Sequence, residues 1–204
     1  MRGRPLFPLV MLLVALALSG CGAARSGLDV RYPEAGVNRA MLSTTPARRV
    51  AIALVVDRRP QTRIGVEPEK KKDIVTRRPV VEIVREAIVQ ELGANGHTVA
   101  PDRSDVVLAP AVEEFWLDAV PAASSNVQYV GKVVIALTVT DGPSGQRLLA
   151  RRYVGIKRQQ APTDAEHAPR EVMDAALARA MHDLATDPEL VRAFKRASTA
   201  AVRL

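Results

Sequence analysis

The chain reads as an α+β protein: one mixed β-sheet of about five strands, in the order β-α-β-β-β-β-α-α, with its helices packed on one face. Three observations predict this. Apolar residues recur at every second position in several runs between 50 and 157. Three other stretches repeat them at the 3.6-residue period of a helix, with a single apolar stripe each. A chain of one-sided helices around strands then needs one sheet surface for all of them to cover.

The run 50–56 opens the pattern, with Val50, Ile52, Leu54 and Val56 on one face and Ala51, Ala53 and Val55 on the other. A strand apolar on both faces belongs inside a covered sheet. Residues 57–78 are charged, and Pro60, Gly65 and Pro68 interrupt them, which predicts a long loop; loops of that length are functional or disordered. Pro79 suits a first helical turn, and Val80, Ile83, Val84, Ala87, Ile88 and Leu92 follow at helical spacing up to Gly93 and Gly96. Residues 97–101 form a short second strand, parallel to the first through a right-handed crossover.

A third strand is expected over 106–120. Its alternation slips at Glu113-Glu114 and Pro110 removes a ladder donor, so it carries a bulge or lies at an edge. Val127, Tyr129, Val133, Ile135, Leu137 and Val139 alternate with polar residues up to the turn Asp141-Gly142-Pro143-Ser144-Gly145, and 147–157 resumes the alternation as a hairpin, so the later strands are antiparallel. Pro169 opens a helix with the face Val172, Met173, Ala176, Leu177, Ala180, Met181 and Leu184. Asp187-Pro188 reads as N-cap and first position of a last helix carrying Leu190, Val191 and Phe194.

The first residues carry a different signal. Arg2 and Arg4 precede a stretch, 6–18, that is apolar except for Pro8. These are the charged and apolar regions of a secretory leader. At a rise of ~1.5 Å per residue the stretch reaches about 20 Å, short of the ~30 Å core of a bilayer. Leu18-Ser19-Gly20-Cys21 then looks like a bacterial lipobox: an aliphatic residue, two small ones, and a thiol nucleophilic enough to be alkylated. The expected organisation is a cleaved leader at 1–20, a flexible tether at 21–46 from lipidated Cys21, one periplasmic domain at 47–197 and a tail at 198–204. Resemblance to lipoproteins implies acylation by three chains, which anchors durably, and Gly22 after the cysteine implies the outer membrane.

Processing at Cys21 leaves 184 of the 204 residues and lowers the formal charge from +7 to +5, because Arg2 and Arg4 are lost. That is one domain with a proper core. Cys21 is the only cysteine, so no intramolecular disulfide forms. Aromatics make up 3%, too few for base-stacking platforms, and nucleic acid is not an expected partner. The helix Pro79-Val80-Val81-Glu82-Ile83-Val84, the strand start His97-Thr98-Val99, Asp105-Val106-Val107-Leu108, Asn126-Val127-Gln128-Tyr129 and the segment Pro188-Glu189-Leu190-Val191 resemble the YajG-like bacterial lipoproteins. The layout is also similar to small α/β lipoproteins that assist envelope machines. The resemblance carries over no functional residue from the YajG-like family, and no cofactor is expected.

Two groups of side chains stand out as candidate contacts. Residues 48–78 hold ten basic residues against four acidic ones, an excess larger than that of the whole processed chain. Arg58, Arg59, Arg63, Lys70, Lys71, Lys72, Arg77 and Arg78 are the candidate basic surface, for anionic lipid, lipopolysaccharide phosphates or an acidic protein; the bland reading is a solvated loop paired to its own acids. Phe115 and Trp116 occupy opposite faces of a strand, so Trp116 is a candidate aromatic contact, with core packing as the alternative. Arg147, Arg151 and Lys157 share a strand face with Tyr153 and read as a solvent face that discourages edge pairing. His97, His167 and His182 are scattered without a metal-ligand spacing, and His97 reads as a capping or surface residue. Glu113 and Glu114 point to opposite faces, and the 142–145 turn lacks the nucleophile-elbow spacing. The expectation is a non-enzymatic accessory or binding lipoprotein, tethered at the periplasmic face of the outer membrane. The alternative is a lipid or lipopolysaccharide transport auxiliary.

Overall fold

A computed structural model describes residues 27–33, 41–67, 71–123 and 125–199. The signal and lipobox, including Leu18, Ser19, Gly20 and Cys21, and also Lys70, lie outside the described residues. The strands are β1 (Arg49–Ile52), β2 (Val56–Asp57), β3 (Gly65–Val66), β4 (Asp73–Ile74), β5 (Thr98–Val99), β6 (Val106–Ala122), β7 (Asn126–Asp141) and β8 (Arg147–Pro162). The helices are α1 (Val80–Ala94), α2 (Ala168–Ala185) and α3 (Pro188–Arg196). They form the expected α+β fold, with one mixed sheet of eight strands rather than about five. No helix of the described residues is long and apolar enough to cross a membrane.

Three long antiparallel strands, β6, β7 and β8, make the body of the sheet. Along the other edge of β6 run β1, β2 and β3, all parallel to it, with β5 beyond β1 and β4 beyond β3. The crossover through α1 joins β1 to β5 in parallel as expected, but the third strand is parallel to the first as well as antiparallel to the fourth.

The break in the first predicted strand has a physical source on β6. Ala53 donates to the carbonyl of Leu108 and Arg58 to that of Val112, so the backbone groups of 108, 110 and 112 face the β1–β2 side. Pro110 lies midway and has no amide to give. The run 50–56 therefore divides at 53–55 into β1 and β2 and is not one covered strand: Val50 is buried, whereas Leu54 is 91% exposed and Val56 50%. The loop predicted over 57–78 is also partly regular, because β3 pairs with β4 and buries Ile64 against the core.

The expected tether is partly fold. Leu28 bridges Thr76 and exchanges backbone hydrogen bonds with Val75 and Arg77; Arg31 N–H donates to Asp174, and Val30 and Tyr32 are buried. A short 3-10 turn, Leu42–Thr44, buries Leu42 completely. Leu28, Val30 and Tyr32 alternate with Asp29 and Arg31 and read as a short extended segment ended by Pro33, but so short a run inside a Gly-, Ala-, Arg-, Ser- and Thr-rich stretch reads as part of a linker.

The bulge arrives where the alternation slips, between Val112 and Glu114. Before it, Val106, Leu108 and Val112 face the helices; after it, Phe115 and Leu117 do. On β7 the same face carries Val127, Tyr129, Val133, Ile135, Leu137 and Val139. Helix α2 lies across β7 and β8, and it approaches so closely that a Cβ on Gly155 would overlap the carbonyl oxygen of Ala176. Glycine is required there for the close approach. Asp187 caps α3 by accepting from Glu189 N–H at 2.9 Å, as its sequence position predicts.

Candidate functional site

Trp116 lies on the face of the sheet away from the helices. Its indole N–H donates to Asp118 at 2.6 Å, and its neighbours across the strands are Lys132 and, beyond it, Ile156. Phe115 turns the other way and is fully buried, so the opposite-faces expectation holds; Trp116 itself is half-buried rather than core. The 59–63 loop folds beside this part of β6. Arg59, Pro60, Gln61, Arg63, Glu113, Glu114, Phe115 and Trp116 line a depression of about 380 Å³. The structure thus brings two of the predicted basic residues to the predicted aromatic one.

Glu113 and Glu114 reach the same side of the sheet, contrary to the opposite faces expected of them. Glu113 pairs with Arg152 and Glu114 with Lys132, each at 2.7 Å, and both cations belong to the outer face. An extra residue at the bulge removes the strict alternation, so adjacent acids reach one side of the sheet. Both carboxylates are committed to basic partners. Simple alternation could not have found this; the slip was visible but not its direction.

The remaining basic candidates do not form one patch. Arg63 pairs with Asp73 at 2.9 Å, Arg78 with Glu86 at 2.5 Å, and Arg77 donates to the carbonyl of Gly27. Arg58, Lys71 and Lys72 are exposed. Arg59 is the exception among them, because its side chain is only 7% exposed. Its Nε and Nη2 grip both oxygens of Asp57 at 2.9 and 2.7 Å, which holds that carboxyl below the usual range. Its Nη1 is buried and has no hydrogen-bond partner among the described residues. Arg59 also lines a second depression of about 470 Å³, shared with Thr62, Thr76, Arg78 and the start of α1 at Pro79, Val80 and Val81.

Two further expectations change. Arg151 shares a face with Tyr153 as predicted, but that face is the helix side: Arg151 pairs with buried Asp187 at 3.3 Å, and Tyr153 donates to the same carboxylate at 2.9 Å. His97 is a core residue rather than a surface one. Its Nδ1 accepts from Arg48 N–H at 3.2 Å, its ring lies 4.9 Å from that of Phe194, and burial lowers its pKa. Among the described residues no group of three His, Cys, Asp or Glu is placed to hold a metal ion.

No protein-family model matches the chain, and no curated protein matches it. The fold is nevertheless shared. The crystal structure of a Xanthomonas campestris protein of the DUF330 family superposes with a TM-score of 0.56 at 16% identity, covering 81% of this chain and 95% of that one. Lower similarity extends to a lipoprotein from Neisseria meningitidis (TM-score 0.39, 11% identity, 70% of this chain and 100% of that one). A minor lipoprotein from Acinetobacter baumannii compares similarly (0.39, 11%, 69% and 92%).

Proposed function

We propose that the chain is an envelope lipoprotein, acylated at Cys21 and held at the periplasmic face of the outer membrane, whose α+β domain is a non-catalytic accessory that binds another envelope component. The sequence Leu18-Ser19-Gly20-Cys21 behind a charged and apolar leader carries this reading. Membership of the YajG-like family belongs to the same proposal and rests on the residue pattern alone. The contact surface is the outer-face depression at Trp116, because aromatic side chains flanked by arginine are the residues that anchor protein interfaces. Both acids there are already paired, and so are Arg59 with Asp57 and Arg63 with Asp73, so the groups left to a partner are the face of the indole and Pro60.

Radiolabelled palmitate should enter the parent and not Cys21→Ser. A photo-cross-linker in place of Trp116 should capture one reproducible envelope protein, and one at exposed Thr163 should not. Label persisting in Cys21→Ser would remove the anchor, and equal capture from both positions would remove the surface. A second reading, a lipid or lipopolysaccharide transport auxiliary, is favoured by the cations around the 58–78 segment, which suit anionic head groups. It requires lipid to co-purify with the domain in native mass spectrometry.

A further inference from the structure

We propose that the 470 Å³ depression between Arg59, Arg78 and the start of α1 is a phosphoryl-anion site. Three features converge on it. Helix α1 has 15 residues, and Pro79 at its N-cap gives no side-chain hydrogen bond to its first amides. Glu82 and Ile83 donate to the carbonyl of Pro79, so Val80 and Val81 direct their N–H groups out of the helix start. An uncapped helix start favours an anion through these donors and the positive end of the macrodipole.

The second feature is independent of the helix. Arg59 is a guanidinium with its side chain more than nine-tenths buried and one nitrogen, Nη1, without a partner among the described residues. A buried donor of a charged group left unfilled is costly, and most such donors in folded proteins are satisfied. Asp57 also lines the depression, but its two oxygens already accept from the Nε, Nη2 and backbone N–H of Arg59 itself. It therefore neutralises one edge of the guanidinium and leaves the other.

The third feature is the rim. Arg78 lines the depression and uses Nη1 on Glu86, and Thr62 brings an exposed hydroxyl. Thr76 turns its hydroxyl to the carbonyl of Arg78, which fixes the rim. Amides at a helix start, a buried arginine, a surface arginine and a hydroxyl form a donor set suited to a tetrahedral oxyanion with several acceptor oxygens. Inorganic phosphate, a lipid head-group phosphate and a lipopolysaccharide phosphate all present that chemistry.

The test uses the full chain in a neutral detergent. Inorganic phosphate is titrated at constant ionic strength against a chloride control, and binding is followed by the amide shifts of Val80 and Val81 and by the thermal midpoint. Phosphate should shift both amides and raise the midpoint. Arg59→Lys keeps the charge but loses the Nη1 geometry, and should weaken binding roughly tenfold or more, the scale of one charge-assisted hydrogen bond. Arg78→Gln, at the exposed rim, should weaken binding while the ligand-free midpoint stays at the parent value, so folding and binding are read apart. Vesicles of phosphatidylcholine with and without phosphatidylglycerol, and lipid A with and without its phosphates, then identify the source. Competition of only one of these with inorganic phosphate names the membrane ligand, and competition of none leaves free phosphate as the ligand. Unmoved amides at millimolar phosphate, or equal binding by parent and Arg59→Lys, overturns the site. Neither outcome bears on Cys21 or on Trp116 cross-linking.

Discussion

Asp187 joins three parts of the fold, and its removal has a cost that can be worked out. Its side chain is 3% exposed; it caps α3 through Glu189 N–H, accepts from the Tyr153 hydroxyl on β8, and pairs with Arg151. In Asp187→Ala the lost cap costs about 1 kcal/mol. The Tyr153 hydroxyl, buried and without its acceptor, adds about 1–3 kcal/mol. The Arg151 pair adds only about 0–1 kcal/mol, because that guanidinium is half exposed. The total is about 3 kcal/mol, which for a domain of this size is a fall of roughly 6–12 °C in thermal midpoint. Urea unfolding followed by circular dichroism measures it. Combining Asp187→Ala with Tyr153→Phe should recover about 1–2 kcal/mol relative to the summed single losses, because the orphaned hydroxyl is gone. Strict additivity, or an Asp187→Ala loss under about 0.5 kcal/mol, would refute the network.

Three further outcomes follow from the same packing. Gly155→Ala, whose Cβ would overlap the backbone carbonyl oxygen of Ala176, should destabilise by about 1–3 kcal/mol in urea unfolding, whereas Gly131→Ala, whose Cβ would lie 2.9 Å from the Val172 side chain and 3.0 Å from its carbonyl oxygen, should cost less. Burial first, and then Glu91 and Asp187, push the Tyr32 and Tyr153 phenols far up, and burial also raises Tyr129. A phenol raised in the fold contributes stability that is complete below about pH 10 and is lost as pH climbs above it. Tyrosinate absorbance should therefore appear together with loss of circular dichroism, and its gradual rise in the intact fold would contradict the burial. His97 is shifted the other way, chiefly by burial, so its contribution is present above about pH 6.5 and lost as pH falls below it; His97→Gln should flatten the stability profile between pH 6.5 and 5.

What the sequence revealed and what it hid divide along physical lines. The long elements were legible because period is a local property: β6, β7, β8, α1 and α2 each span 15 residues or more, and even the bulge in β6 showed as a slip in its alternation. So was the Asp187-Pro188 start of α3, where one residue type performs one capping reaction. Of the two-residue strands, β5 falls within the strand expected over 97–101, whereas β2, β3 and β4 were not legible: β2 and β3 exist because the edge of β6 offers partners far away in sequence, and β4 pairs on β3. Pro110 was noticed as a missing donor, but its effect falls on 53–55, some fifty residues earlier, where the opposite amides lack a ladder. Burial of Val30 and Tyr32 is announced only by the brief alternation of Leu28, Val30 and Tyr32, and burial of Leu42 by no period at all.

The candidate surface shows the same division in its charges. A count finds six excess positive charges between 48 and 78, and the structure then distributes them. Arg48 is buried with Nε on the carbonyl of Phe194 at 3.1 Å, where a cation favours the carboxyl end of α3. Arg49 donates to the carbonyl of Asp102, and Arg59, Arg63 and Arg78 face Asp57, Asp73 and Glu86. Arg77 donates to the carbonyl of Gly27, and among the described residues this leaves Arg58, Lys71 and Lys72 as exposed cations of the segment with neither an ion pair nor a side-chain hydrogen bond. Exposed pairs are weak and screened by salt, so the field outside the protein is smaller than the count suggests. Specific recognition must then come from shape and directed donors: the indole of Trp116 in one depression beside the 59–63 loop, and the buried guanidinium of Arg59, which lines that depression and the one at the start of α1.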